Sequence, residues 1–455
     1  MLLKEIIKNL KRPLTFNKEL CIDKKEILKI LEAARWAPSA ENQQVWRFII
    51  IDDIHGKKIA IKSIQEGDPR LRKESKKVST PNLKAQFVYS SENFDSKTEK
   101  YKDNIGKFHS DDVECAQTAS LFIICTHKDT RLGRIFGSTD MGASITNIIL
   151  MSIELGFSVR YIKNFNRETI RKEMEIPEII TIDATLAIGK PVKTLDKPEF
   201  ERRDLSNYFS HNQWDSRLQL SVLDEDESLF QEYNIEIVDP ILDRRSIRSF
   251  YEMKALPKKA VLEILNAGMM VPLTIDEPYI KIIIMDDKSV IREFAQNSKF
   301  VIQQSHVNQV PLIVAITYDC GNNSPAFYAE MDTGAILQNM ILRAHSLGIG
   351  SCWIGAFSHR AARRILKIEE NWDIPSVAIF GYPKKYPKPT PRLSLGKIGY
   401  YNTWEVPIEK KKRSLLPNYH ILSIASRKLR NTHVKTRLRK RKVGYPKGIP
   451  EFENL

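Results

Sequence analysis

What the sequence lacks narrows it first. No stretch of the 455 residues stays apolar for the roughly eighteen positions that a membrane-spanning helix needs. Met1 to Leu14 has no apolar core of the kind a secretory signal carries, so a cytoplasmic location is the expectation. The five cysteines (Cys21, Cys115, Cys125, Cys320, Cys352) are widely spaced, with no Cys-x-x-Cys and no Cys/His grouping at metal spacing. That argues against a disulfide scaffold and a zinc site and leaves reduced, mostly buried thiols; Cys125, in Leu-Phe-Ile-Ile-Cys-Thr, reads as a core strand position. Gly-x-Ser-x-Gly, the Walker loop and Gly-x-Gly-x-x-Gly are all missing, which removes the common signatures of serine hydrolases, P-loop enzymes and classical dinucleotide folds.

Acidic residues are scarce in one place only. Residues 410–455 hold 14 Lys/Arg against Glu451 and Glu453, leaving 57 basic and 54 acidic side chains for the rest of a chain whose net charge is +15. The basicity therefore belongs to a tail, a solvated extension or a contact for an acidic partner or anionic surface, and the body carries no strong nucleic-acid signal. The length implies more than one core.

Taken in order, Lys25 to Ala34 places Ile27, Leu28, Ile30, Leu31 and Ala34 at helical spacing with Asp23 as cap, Pro38 ends the pattern, and Arg47 to Asp52 reads as a buried strand. From Gly56 to about Asp112 the chain is polar and predicts loops and short helices. A strand follows at Ala119 to Thr126, then a long helix from Asp140 to Leu155 stopped by Gly156, a short helix around Thr169 to Met174, and a strand at Ile182 to Ile188.

The order then repeats. A shift of 234 lays Lys258–Asp287 on Lys24–Asp53 without gaps, pairing Leu262 with Leu28, Ile264 with Ile30 and Pro272 with Pro38. A shift of 192 lays Asp332–Phe357 on Asp140–Phe165, with Gly334, Asn339, Gly348 and Phe357 meeting identical residues. The first half thus carries about 42 extra residues in its middle. Duplication of one α/β unit follows, and a fused pair of this kind reproduces the isologous interface of a two-fold dimer within one chain. The expected layout is domain 1 at 1–200 with an enlarged insertion at about 56–139, a charged linker at 201–235, domain 2 at 236–403 and a basic extension at 404–455.

Arg244 to Phe250 reads Arg-Arg-Ser-Ile-Arg-Ser-Phe. In an extended chain Arg244, Ser246 and Arg248 share one side and Arg245 points elsewhere. Two guanidinium forks and a hydroxyl on one side suit a phosphate, although a solvated basic start to a helix has the same composition.

Together with Ala37–Trp46 and the Gly334–Phe357 region, this run resembles the nitroreductase family of FMN-dependent oxidoreductases, across roughly residues 5–200 and 236–400. The resemblance implies an α+β fold, two nitroreductase-like α/β sandwich domains fused as a pseudo-dimer, with FMN held between the halves and hydride passed from NAD(P)H to a small-molecule substrate. Carried over by residue, Arg244, Ser246 and Arg248 of the second half match the family's phosphate segment, and Pro38, Ser39, Ala40 and Asn42 of the first half match its Pro-Ser-x-x-Asn loop. Gly355 and Ala356 stand where small residues let the backbone approach the flavin, and Arg392 matches a C-terminal phosphate contact, with Thr390 where a Lys is common. Gln44-Val45-Trp46 departs from the usual Gln-Pro-Trp. The opposite combination fails: Leu10, Arg12 and Leu14 stand at the phosphate positions, Leu273, Thr274 and Asp276 at the loop positions, and Lys163 and Asn164 at the small-residue positions.

The implied product is one FMN site per monomeric chain, with no side-chain nucleophile and no metal. Phe87, Tyr89, Phe94, Tyr101 and Phe108 in the insertion either cover the flavin or pack their own domain. Two other readings stand beside this one: a non-catalytic or redox-sensing flavin protein that docks a partner, and, from Lys100-Tyr101, an azoline-type dehydrogenase.

Overall fold

The computed structural model describes residues 2–8, 10–69, 109–194, 208–217, 236–272, 279–297, 305–320 and 326–409. The tail beyond Glu409, the aromatic residues Phe87 to Phe108, Lys100-Tyr101 and the loop positions Leu273, Thr274 and Asp276 lie outside them.

The first half begins with α1 (Leu3–Lys8), β1 (Pro13–Phe16) and α2 (Lys24–Arg35). Asp23 accepts from the N–H groups of Lys25 and Glu26 while Glu26 accepts from the Asp23 N–H, a complete capping box. After β2 (Trp46–Ile51) and α3 (Ile54–Glu66), residues 109–116 are helical (α4). They lead to β3 (Leu121–Lys128), α5 (Gly133–Glu154), β4 (Ser158–Ile162), α6 (Arg167–Glu173), β5 (Ile180–Gly189) and β6 (Pro191–Thr194).

Next comes β7 (Phe209–His211), and the second half then runs α7 (Val238–Asp243), α8 (Lys258–Met269), β8 (Ile280–Met285), α9 (Lys288–Asn297), β9 (Leu312–Asp319) and α10 (Ala326–Ser346). It closes with β10 (Gly350–Ile354), α11 (His359–Leu366), β11 (Trp372–Gly381), α12 (Leu395–Ile398) and β12 (Gly399–Tyr401).

The described strands form two matching five-stranded sheets, β12-β2-β3-β5-β4 and β10-β11-β9-β8-β7, and a small antiparallel pair, β1-β6. Each five-stranded sheet takes its edge strand from a segment that follows the other half or the junction. Gly399 of β12 pairs in parallel with Phe48, and Phe209 of β7 with Ile282; 48 and 282 differ by the 234 of the repeat. The fold is the fused pair of α/β sandwiches that the repeat implied. The span expected to be linker, 201–235, contains β7, which is a working strand of the second sheet.

A pseudo-two-fold axis passes between α5 and α10. A Cβ added to Gly142 would stand 1.9 Å from the Met331 carbonyl oxygen, and one added to Gly334 would stand 1.9 Å from that of Thr139. The two contacts are the same contact seen from each half, because 142 and 139 shifted by 192 give 334 and 331. Only glycine lets the helix backbones come this close. Around the crossing one core joins the halves: Met141, Ile145 and Ile148 of α5 share it with Ile237, Ala267, Met331 and Leu342.

Two expectations are corrected. Residues from Gly56 onward were expected to be loops and short helices, yet α3 is a regular 13-residue helix capped by Asp53. Its buried face is only Gly56, Ile59, Ala60, Ser63 and Ile64, too small and polar to register as a stripe. The long helix begins at Gly133 rather than Asp140. Its first turns carry Gly133, packed on the Lys128 carbonyl, and Gly137, packed on the His127 ring, so close approach replaced the apolar residues that mark a helix in sequence. Cys115, Cys125 and Cys352 are buried, Cys21 is exposed, and all five thiols are free.

Because α5 and α10 touch through glycine backbone, Gly142→Ala and Gly334→Ala should each lower unfolding free energy by about 2 kcal/mol or more. Gly156, at φ +82 with nothing within 4 Å of an added Cβ, should lose only about 1–2 kcal/mol as alanine. Urea denaturation of the three variants checks the ranking; equal losses would contradict it.

Candidate functional site

The first half's polar loop and the segment that returns from the second half meet at one place. Asn42 donates from Nδ2 to the Pro391 carbonyl (3.0 Å) and accepts at Oδ1 from Arg392 (2.9 Å). Gln44 completes the joint, donating to the Pro391 carbonyl (3.2 Å) and accepting from the Leu393 N–H (2.8 Å). The loop is held in an unusual shape: Glu41, Asn42 and Gln44 all have positive φ, at 49°, 57° and 50°. Left-handed backbone at three non-glycine residues is costly and is found where neighbouring contacts over-determine it. Those contacts are visible here. Pro38 is buried, Ser39 accepts from the Gln44 N–H at 3.1 Å, and the Ala40 N–H donates to both oxygens of Asp140 at 3.0 and 3.2 Å.

Beyond Arg392 lies a concentration of positive charge. Arg244 is buried at the end of α7, and burial, reinforced by Arg392 and Arg245, pushes its pKa down to about 9. Arg392 is pushed down to about 10 by burial and by Arg245 and Arg35. Both Arg245 (5.5 Å) and Arg392 (5.2 Å) make cation–π contacts with the Trp36 ring. His345, buried beside the cluster, is held down to about 3 by burial and by Arg244 and Arg245, so it stays neutral. Among the described residues, the buried Nε atoms of Arg35, Arg244 and Arg392 have no hydrogen-bond partner. Arg35 is otherwise matched by Glu32 and the Leu393 carbonyl, and Arg392 by Asn42 and the Trp36 carbonyl; an unmatched buried N–H is expensive, and Arg244 with Arg392 makes a set that an anionic group can satisfy.

The predicted phosphate segment is only partly as expected. It is irregular rather than extended throughout, tied to β10 by a Ser246–Ser351 bridge and by the Ile247 N–H to the Ser351 carbonyl at 2.8 Å. Arg244 turns inward, Ser246 is half-buried and Arg248 is exposed. Arg248 acts electrostatically on Cys352 and on His306, whose pKa falls to about 4, mainly through burial. Arg245 does not point elsewhere. It donates to the Leu242 and Arg244 carbonyls and joins the cluster, because α7 ends immediately before it and no strand alternation applies. Gly355 follows β10, and its missing side chain makes room for the Phe136 ring of the first half: an added Cβ would stand 2.6 Å from that ring. Ala356 is exposed.

Sequence reasoning missed Trp36, Gln44, Asp140 and Phe136. Asp140 had a signal, as an identity with Asp332 across the repeat inside an otherwise apolar helix. Gln44 had one, as the kept first residue of the Gln-Pro-Trp pattern, whereas Trp36 had none, since its arginine partners Arg245 and Arg392 lie in the other half.

Residues 14–190 and 286–382 match the sequence signature of the nitroreductase family. The chain belongs to the nitroreductase family. It is 30% identical over 153 residues to an Archaeoglobus fulgidus protein described as "Putative NADH dehydrogenase/NAD(P)H nitroreductase", covering 33% of this chain and 86% of that one. It is 25% identical over 182 residues to the NADPH-flavin oxidoreductase of Vibrio harveyi, covering 37% of this chain and 74% of that one. A solved structure from Anabaena variabilis, described as a putative nitroreductase, aligns over 79% of this chain and 88% of its own with a TM-score of 0.50 at 12% identity. This last likeness spans both halves and bears on the fold.

Asp140 makes a pH prediction. Burial raises its pKa to about 8 against the opposing pull of the Ala40 N–H and His127, while the unfolded chain releases this proton near pH 4. Between about pH 4 and 8 the native state therefore holds a proton that the unfolded state has lost, and this group's contribution to stability falls as pH rises. Asp140→Asn should gain stability relative to the parent chain as pH rises, most above pH 8, in denaturation curves at pH 5, 7 and 9. Parallel curves would contradict the assignment.

Proposed function

We propose that this chain is an FMN-dependent oxidoreductase in which a single FMN lies between the two halves and hydride passes between NAD(P)H and a small organic substrate. The observation that carries the reading is the pair of Arg244, buried, and Arg392, half-buried, neither with a hydrogen-bonded carboxylate among the described residues and joined through Asn42 to a strained loop of the other half. The likeness to a NADPH-flavin oxidoreductase supports the class of cofactor and donor.

In this reading Arg244 and Arg392, with Ser246 and Arg248 at the rim, hold the FMN phosphate. Both arginines remain cationic at neutral pH despite their lowered pKa values, so they meet a dianion without proton uptake. Pro38, Ser39, Ala40 and Asn42 present the backbone and amide groups that orient the ribityl chain and ring. Asp140 fixes the Ala40 N–H with both of its carboxyl oxygens. FMN would supply the hydride-carrying position there, and Gly355, Ala356 and Phe136 are the residues that would line it. Since each chain carries both halves, the site needs no second copy, and a monomer is sufficient. No described helix is long and apolar enough to cross a membrane.

Purified protein should be yellow, and anaerobic NADH or NADPH should bleach it. Arg244→Ala and Asn42→Ala should each weaken FMN retention by about 30-fold or more, the equivalent of roughly 2 kcal/mol for one lost charge-assisted contact; Arg12→Ala should not change it. Equilibrium dialysis with FMN reads this directly. A chain that gains no flavin absorbance would reject the proposal, and a yellow chain that the nicotinamides cannot bleach would make it a flavin-binding protein without this activity.

A further inference from the structure

The pseudo-two-fold axis generates a second place where the halves meet in the same way, and there the chain has filled the space itself. The correspondence is fixed by matching strand contacts: Phe16 pairs with Pro191 as Phe250 pairs with Pro383. Shifts of 234 and 192 then put Arg12 opposite Ser246, Arg160 opposite Cys352 and Lys163 opposite Gly355. Arginines therefore stand at the mirror image of the Arg244 pocket too. Arg160 is 1% exposed, and its Nε donates to Asp112 at 2.6 Å. Arg12 reaches the same carboxylate oxygen at 3.5 Å. Asp112 sits on α4, within the insertion that distinguishes the first half from the second.

The other end of this second space is closed as well. Where Gly355 leaves room for the Phe136 ring, Lys163 extends a side chain across the interface and its ammonium binds the Asp332 carboxylate, which also accepts from the Tyr279 hydroxyl. Asp332 is the counterpart of Asp140. The same position that bonds a loop N–H in the first site is consumed here by an ion pair.

We propose that Arg160 and Arg12 form a second anion pocket, the counterpart of the one at Arg244, and that the chain keeps it shut with its own Asp112 carboxylate, so that phosphate or sulfate enters only when that carboxylate is removed. The inference rests on reading the Arg244 cluster as an anion site. It gives the described part of the insertion a definite role, that of an internal substitute for a ligand's anionic group. Arg160 also lies 3.9 Å from Asp111 and donates to the Pro13 carbonyl at 3.2 Å, so losing Asp112 removes its nearest carboxylate, the one a small oxyanion would replace.

The test is the melting temperature of the full chain in phosphate-free buffer and across an inorganic phosphate titration. The parent chain sets the baseline, including any response of the Arg244 pocket. Asp112→Asn should melt lower than the parent without phosphate and recover along a saturable curve that the parent lacks. Adding Arg160→Met to that variant should abolish the extra response. An Asp112→Asn response no larger than the parent's, or an extra response that survives Arg160→Met, would overturn the proposal. If Asp112→Asn is unfolded without phosphate, refolding on phosphate addition supports the pocket and failure to refold rejects it. The readout does not involve flavin, so a chain that binds no FMN would fail the functional proposal while leaving this result to stand or fall separately.

Discussion

The crossing of α5 and α10 through Gly142 and Gly334 is the constraint on which the rest of the molecule depends. Two helices whose backbones touch at 139/334 and 142/331 fix the axis that relates the halves, and with it the distance across which the Asn42 loop can meet Arg392. The edge strands reinforce it. Because β12 leaves the second half to pair with β2, the Pro391–Leu393 segment is delivered to the first half's loop by the same exchange that completes its sheet. Interface, sheet and site are therefore one construction, and loosening the helix crossing would disturb all three.

On this nearly symmetric frame, charge is arranged without symmetry. On one side Arg244 and Arg392 face no hydrogen-bonded carboxylate among the described residues and a loop carries three left-handed residues. On the other, Arg160 with Asp112 and Lys163 with Asp332 are matched inside the chain. A homodimer cannot do this, because any change appears at both of its sites. Duplication within one chain frees the two sites to diverge, so one can keep the features of a binding site while the other becomes part of the core. A buried ion pair adds little net stability over apolar packing, so Asp112 and Lys163 are better understood as closing that space than as strengthening the fold.

Much of this was legible in the sequence because the repeat supplied its own control. Arg244 and Asn42 stood out against Leu10 and Asp276 at matching positions, and the residue types that carry charge or an amide betray themselves without knowledge of their neighbours. The α/β duplication, the Asp23 cap and the Gly156 stop followed from local rules. What was not legible depended on contacts distant in sequence. Trp36 gains meaning only from Arg245 and Arg392, and what Gln44 bonds is set by Pro391 and Leu393. Alternation misplaced Arg245 because the chain there is not a strand, and the start of α5 was hidden because Gly133 and Gly137 serve close packing and leave no apolar stripe. Burial of Arg160 against Asp112 was equally invisible, being set by where α4 docks.

The central claim is that a two-fold frame carries a single competent site. The direct measurement is the molar ratio of FMN to polypeptide in the saturated protein, from flavin absorbance against amino-acid analysis of the 455-residue chain. The account predicts a ratio of about one, reduced towards zero by Arg244→Ala. A ratio of two, or a ratio of one that Arg244→Ala leaves intact, would contradict it.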